Sequence, residues 1–403
     1  MGFLLYLCAP GSALSFESWD NNGNSGEADL MLRGLGMTWR NPEDTSRGRD
    51  RTESGGGLLG RLIIDGSIGA TIDYKLNLYQ TWLPASLAGG NATVGAALDV
   101  ERSAALEHSF SNDDYAHLAL DSLLVNWSWQ DVSITLGRQP INLATTFYFS
   151  PNDMFAPFAA QAFYRVYKPG VDALRGEYRV NEFSSVSLIS VLGYQQTPGS
   201  ATGWSRQPDS DRLSHLLRYS AVFGDSDIAL LGGKVRRAEL LGAAWQTEVL
   251  EWLGIRGEAH YAESRDSVAS RYYELSLGVE HRFENSLDAR LEWFRHGSGA
   301  DNTDDYNTMV IAPGSPAYLG RHYLAAGASY ELTPLLNGQA LLAANLIDRS
   351  SITAISILYS LSDEAELSAG LTLPRGKRAH GGVLRSEYGN APILLNLELR
   401  QYF

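Results

Sequence analysis

Ile393-Leu-Leu-Asn-Leu-Glu-Leu-Arg-Gln-Tyr-Phe403 is the stretch that decides the fold. Ile393, Leu395, Leu397, Leu399 and Phe403 share one face of an extended strand, and Asn396, Glu398 and Arg400 share the other. Side chains alternate across a strand, so this pattern gives one face to an apolar medium and one to water. The stretch stops on an aromatic with no turn or helix after it, which reads as the closing strand of a large sheet.

The rest of the composition agrees. At 403 residues, 44% hydrophobic and 19% charged, the chain can bury a large core. No Pro- or Ser-rich linker and no charge block divides it, which suits one closed barrel better than two or three domains. Gly (40), Tyr (20) and Trp (9) favour strands and tight turns over helices. No uncharged apolar run approaches the roughly 18 residues of a membrane-spanning helix. A mean hydropathy of -0.17 does not exclude a membrane barrel, where only alternate residues meet lipid. The net charge of -14 argues against nucleic acid as a partner.

The apolar run Phe3–Ala9, followed by Pro10, Gly11, Ser12, Ala13, Leu14 and Ser15, reads as the tail of a secretory signal cut after Ser15. Residues 1–15 are therefore taken as a signal-peptide remnant and 16–403 as the barrel. Cys8 would leave with that segment, and Leu5-Tyr6-Leu7 before it makes a poor lipoprotein signal. The remaining chain holds no cysteine, which excludes disulfides, thiol chemistry and covalently attached haem.

From Glu27 onward, strand-like segments of roughly 9 to 13 residues recur between connections that are alternately short and long. In Thr71–Trp82, Ile72, Tyr74, Leu76, Leu78 and Trp82 oppose Thr71, Asp73, Lys75, Asn77 and Thr81. In Tyr272–Phe283, Tyr273, Leu275, Leu277, Val279 and Phe283 oppose Glu274, Ser276, Glu280 and Arg282. Leu287–Arg295 sets Asp288, Arg290 and Glu292 against Leu287, Ala289, Leu291 and Trp293. Short turns fall at Asn181–Phe183, Gly224–Asp227, Glu284–Ser286, Pro334–Asn337 and Ser362–Glu364. Long connections fall at Asn41–Gly56, Pro84–Asp114, Ile141–Gly170, Gln195–Asp211, Gly297–Gly320 and Arg375–Asn390. The fold class expected is all-β: a transmembrane, antiparallel up-and-down barrel of about 18 strands. Leu118–Trp129, Val186–Tyr194 and Ser351–Leu361 are apolar on both faces, so about 16 strands is the alternative. Trp39, Trp82, Trp127, Trp129 and Trp252 lie near strand ends, where amphipathic rings suit the two membrane interfaces.

The centre of the chain carries Gly137-Arg138-Gln139-Pro140, Ser150-Pro151-Asn152-Asp153-Met154-Phe155-Ala156-Pro157, Arg165, and Lys168-Pro169-Gly170-Val171-Asp172-Ala173-Leu174-Arg175. This run resembles porin-like and alginate-export-type outer-membrane proteins, whose relatives include the barrel sheaths of porin–cytochrome conduits. The closing strand similarly resembles that of Gram-negative outer-membrane barrels, except that Gln401 stands where the family usually has Tyr. The resemblance implies an outer-membrane location, short turns and both termini on the periplasmic side, long loops outside, and Phe403 as the signal read by the barrel assembly machinery.

The long central loop is expected to form a constriction. Loop 141–170 holds Phe147, Tyr148, Phe149, Phe155, Phe158, Phe163, Tyr164 and Tyr167, and so much exposed apolar surface is costly. The loop is expected to fold into the lumen, with Arg138, Asp153, Arg165, Lys168 and Asp172 pinning it or setting a field across the pore. Lumen-lining candidates on the strands include Lys75, Arg175, Glu177, Arg179, Arg290 and Glu292, together with Arg61, Asp65, Asp73, Arg256, Glu258, Glu274, Glu280, Arg282 and Asp288. Both signs are interleaved, so most are expected to be wall ion pairs and no basic ladder stands out.

Enzymatic chemistry finds little support. The eight histidines are scattered, with no His-Glu-x-x-His, and His108-Ser109, Ser214-His215 and His296-Gly-Ser298 form no recognisable triad. Asp301, Asp304 and Asp305 lack calcium-loop spacing and read as a solvated acidic loop. No cofactor is expected. The function expected is a channel for passive diffusion of small hydrophilic solutes or ions across an outer-membrane lipid bilayer. The alternatives are a sheath around a multihaem cytochrome and a polysaccharide export channel, the latter calling for a basic lumen.

Overall fold

The computed structural model describes residues 18–21, 23–42, 52–84, 100–110, 114–160, 162–163, 165–197, 203–264, 270–306, 318–380 and 383–403. The signal-like segment 1–15 lies outside them.

Eighteen long strands follow one another around the molecule. The first six are β1 (Asn24–Arg40), β2 (Thr52–Ile68), β3 (Ile72–Pro84), β4 (Asp114–Trp129), β5 (Val132–Gln139) and β6 (Val171–Asn181). The next six are β7 (Ser184–Val191), β8 (Ser214–Phe223), β9 (Ser226–Val235), β10 (Ala238–Val249), β11 (Leu253–Ser264) and β12 (Arg271–Arg282). The last six are β13 (Asp288–Arg295), β14 (His322–Thr333), β15 (Leu336–Asn345), β16 (Ser350–Ser362), β17 (Ala365–Arg375) and β18 (Ile393–Tyr402). Each pairs antiparallel with the next, and β18 pairs with β1 from Arg40↔Ile393 to Met31↔Tyr402. The sheet is thus closed, which leaves no edge to aggregate.

One end of the barrel carries short turns at 69–71, 130–131, 182–183, 224–225, 250–252, 283–287, 334–335 and 363–364. The first long strand begins and the last strand ends here, and Phe403 exchanges backbone hydrogen bonds with Leu30 at 2.9 and 3.3 Å. The other end carries the long connections, interrupted by tight turns at 236–237 and 346–349. Among the described residues, the only helical elements are three short 3-10 turns.

The period-two pattern separates the two faces. Leu395 and Leu397 are each 54% exposed, whereas Glu398 and Arg400 are 4% and 5% exposed. Outward apolar residues continue around the wall, among them Leu136, Leu188, Leu230, Leu241, Leu277 and Leu291. Trp127, Trp129 and Trp252 stand exposed at the turn end and Trp82 at the loop end.

The three strands with blurred alternation each have a physical reason. In β4, Asn77 pairs with Ser122 and Leu78 with Leu120, which leaves Asp121 as a bulge. One extra residue flips the parity, so His117, Ala119 and Asp121 point inward on one side of it and Leu123 and Val125 point outward on the other. In β7 and β16, the inward residues Ile189, Val191 and Ile352 are apolar because a segment of the chain, not water, covers them.

Candidate functional site

The covering segment is the connection from β5 to β6, residues 140–170, which crosses the lumen as a strap. It leaves the wall at Gln139 and returns at Val171, and these two residues pair with each other. Ile141, Leu143 and Phe155 pack on the inner faces of β6 to β11, against Val171, Ile189, Leu216, Leu231 and Ala262. Phe149 reaches the far wall, stacked on Phe294 at 5.1 Å with Tyr318 and Tyr323 around it.

Two inward carboxylates hold the crossing strap by its backbone. Glu258 on β11 accepts from the amides of Thr145, Thr146 (2.6 Å) and Asn152 (3.1 Å), and from the Thr146 hydroxyl at 2.9 Å. Glu292 on β13 accepts from the amides of Phe147 (2.7 Å), Tyr148 (3.2 Å) and Phe149 (2.6 Å), and from the Ser276 hydroxyl at 2.9 Å. A strap in irregular conformation has unpaired amides, and burial makes each one costly unless it finds an acceptor. Two carboxylates 1% and 0% exposed supply that need for six of them.

Glycines on the wall make room for the rings. A Cβ on Gly278 would come within 3.2 Å of the Phe147 ring, and one on Gly327 would collide with the Tyr148 hydroxyl. The Phe147 ring lies between the guanidiniums of Arg256 and Arg290, at 4.5 and 4.8 Å.

The strap also pins itself. Arg165 donates to the carbonyls of Phe147 (2.6 Å), Ala162 (2.7 Å), Ala160 (2.9 Å) and Ala159 (3.4 Å). Burial holds its pKa below the usual guanidinium value. Lys168 and Asp153 form a short buried ion pair. Burial pushes the Asp153 carboxyl up and the Lys168 ammonium down, so the pair sits in a poorly solvated place.

At the strap's root, Arg138 is 1% exposed and donates to Asp172 at 2.8 and 3.1 Å, to the Leu120 carbonyl at 3.0 Å and to the Ser103 carbonyl at 2.8 Å. The network runs on through Arg102, which contacts Glu107 (2.5 Å) and Asp121 (2.9 Å), to Arg61, which contacts Asp121 at 2.8 Å. Glu101 in the same loop binds Arg212 and Arg236 at 2.7 and 2.9 Å.

Most of the remaining wall candidates form ion pairs with near neighbours. Arg175 meets Glu177 at 2.6 Å, Lys75 meets Asp65 at 3.4 Å, and Arg290 meets Asp288 at 2.9 Å. Arg256 meets Glu280 at 2.7 Å, and Arg290 also reaches Glu280 at 3.6 Å. The side chains of Arg175, Glu177, Lys75 and Asp65 are 39%, 34%, 42% and 36% exposed, so solvent reaches this part of the wall. Arg179 is exposed near the turn end, apart from the strap.

The sequence marks Arg138, Asp153, Arg165, Lys168 and Asp172 as one group of charges without saying which pairs with which, and it gives no sign of what Glu258 and Glu292 bind. Their partners are backbone amides, which no residue pattern reveals. The glycines at 278 and 327, each interrupting an apolar strand, were the available signal.

A closed, strapped antiparallel barrel of eighteen strands is the class of protein that this architecture defines. No family model and no curated protein matches the chain. Among solved structures it is similar to OccAB4 of Acinetobacter baumannii, at a TM-score of 0.60 and 8% identity over 94% of this chain and 98% of that one. It is similar to a BenF-like porin from Pseudomonas fluorescens Pf-5, at 0.59 and 9% over 94% and 98%. It is also similar to OccK9 (OpdG) of Pseudomonas aeruginosa, at 0.58 and 12% over 94% and 98%. At these identities the likeness is one of fold.

Proposed function

We propose that this chain is an outer-membrane channel through which small hydrophilic solutes or ions diffuse passively. Strap 140–170 narrows the lumen, and the termini and short turns face the periplasm. The observation that carries this reading is the seat of the strap: six backbone amides held by Glu258 and Glu292, beside wall charges that solvent still reaches. Such a seat fixes the size of the passage, and the flanking arginine–carboxylate pairs supply a field without catalysis. Inward Arg and Glu groups are mostly paired with each other, which favours weak ion selectivity and disfavours an anionic polysaccharide as cargo. A cytochrome sheath needs its lumen free for the partner, whereas here the chain's own strap crosses it.

The test is planar-bilayer conductance of the refolded chain beside a variant lacking residues 152–164. Discrete steps are expected from the first and larger steps from the second. Equal steps from a well-folded deletion would sink the constriction, and a folded but silent barrel would favour the sheath. Removing Phe403 is expected to slow assembly in cells, read as surface-accessible barrel per unit synthesised, because this residue completes the seam with β1.

A further inference from the structure

We propose that the outer surface of the barrel holds a single phosphorylated lipid, with its phosphate on Arg349 and Arg375 and an acyl chain in the groove beneath them. The proposal rests on the barrel standing in a bilayer, but not on its conducting. The groove has a volume of 670 Å3 and lies across β15, β16 and β17 at the loop end. Its walls face outward: Leu342 and Leu373 are 44% and 38% exposed, whereas the alternate residues Leu341 and Ala343 are 2% and 1% exposed. Ala344, Ser351 and Arg375 form one register row, and Leu342, Thr353 and Leu373 form the next. Small residues at 344 and 351 keep the floor low between larger flanks.

Arg349 sits at the end of turn 346–349, in left-handed backbone with φ of +61°. Both arginines are exposed, and neither has a hydrogen-bond or ion-pair partner among the described residues. They also line a second cavity of 850 Å3 directly toward the loops, where Lys377, His380 and Arg385 add further cationic or titratable groups. Two of the carboxylates there are already occupied. Asp348 accepts from the amides of Ser350 and Glu387, each at 2.7 Å, and Asp301 pairs with Arg321 at 2.7 Å. Asp304 is the remaining carboxylate of that cavity.

Charge on the lipid face of a barrel is costly at mid-depth and tolerable only near the interface. An unpartnered arginine pair above an apolar groove therefore calls for an anion that itself belongs to the membrane. Acyl chains gain little by leaving other lipids for a protein groove. Selectivity must come from the phosphate, which two guanidinium forks bind bidentately. A phosphomonoester lipid fits best.

Native mass spectrometry of the full chain in detergent, titrated with dioleoyl phosphatidic acid or dioleoyl phosphatidylcholine, tests this. One phosphatidic acid is expected to bind at least about tenfold more tightly than phosphatidylcholine, with the preference lost in Arg349→Gln/Arg375→Gln. Thr353→Trp, which fills the groove and spares both arginines, should also weaken retention. Inorganic phosphate at the lipid's concentration should leave the complex intact. An unchanged preference in the double variant, full binding by Thr353→Trp, or displacement by inorganic phosphate would each overturn the proposal. Heat-modifiable migration reports the fold of each variant. Unchanged conductance separates this outcome from that of the channel reading.

Discussion

Glu398 and Glu292 look alike on paper, since each is an inward glutamate in an alternating strand. Their surroundings make them different devices. At the seam between β18 and β1, Glu398 is matched by side chains: Arg33 donates to it at 3.0 and 2.8 Å, and Arg400 at 3.1 Å. Arg400 continues to Glu366 at 2.9 Å, so the network ties the last strands to the first. Five strands away, Glu292 receives backbone amides and one serine hydroxyl. The seam uses charge against charge to lock the register of closure. The strap wall uses charge against main chain to hold an irregular segment that has no ladder of its own.

The contrast can be broken at either end. Glu258→Gln/Glu292→Gln keeps the shape but weakens acceptors for six amides, each bond to a charged group being worth about 1.5–3 kcal/mol. The strap should loosen while the barrel stays closed, giving larger or noisier conductance and protease cleavage within 141–170. If conductance and cleavage stay as in the parent chain, the carboxylates do not hold the strap. Glu398→Ala should do the reverse. It leaves Arg33 buried against a lost partner, at a cost of about 3–5 kcal/mol, and lowers the temperature at which the barrel unfolds in detergent while single-channel conductance is kept. A conductance change as large as that of the double variant would erase the distinction between seam and strap wall.

A smaller effect is expected in loop 376–392. Glu387 accepts from the Leu319 amide at 3.2 Å, from Asn345 at 2.8 Å and from the Tyr323 hydroxyl at 2.5 Å. Burial raises its pKa above the ordinary carboxylate value. A raised folded-state pKa means that this group's stabilisation is complete below the unfolded pKa and is lost as pH rises through the folded one. The loop should be seated most firmly in acid. Amide exchange over 383–389, corrected for intrinsic rates, should quicken as pH rises above that range, and Glu387→Gln should remove the dependence. A pH-independent rate in the parent chain would count against this account.

Much of the barrel is legible without coordinates because a wall one residue thick, with oil outside and water inside, writes itself as alternation. Ile393–Phe403, Thr71–Trp82 and Leu287–Arg295 show it directly. The pattern fades where one of those two media is missing. At Ile189, Val191 and Ile352 the inner medium is an apolar cluster that includes strap residues, so both faces are apolar, and at Asp121 a bulge shifts the parity. Those three places are what made sixteen strands conceivable.

The site was legible only in part. The density of aromatics in 141–170 pointed to an inward fold because exposing them is costly, and Arg138 and Asp172 were visible as charges at the roots of neighbouring strands. What the chain alone settled was therefore local: strand, face, turn, and the need of an apolar loop for cover. Tertiary structure decided the rest, namely that eighteen strands close, that Glu258 and Glu292 serve the strap while Glu398 serves the seam, and that Arg349 and Arg375 share a groove. The physical reason is that partners far apart in sequence, and backbone amides above all, carry no residue code for whom they meet.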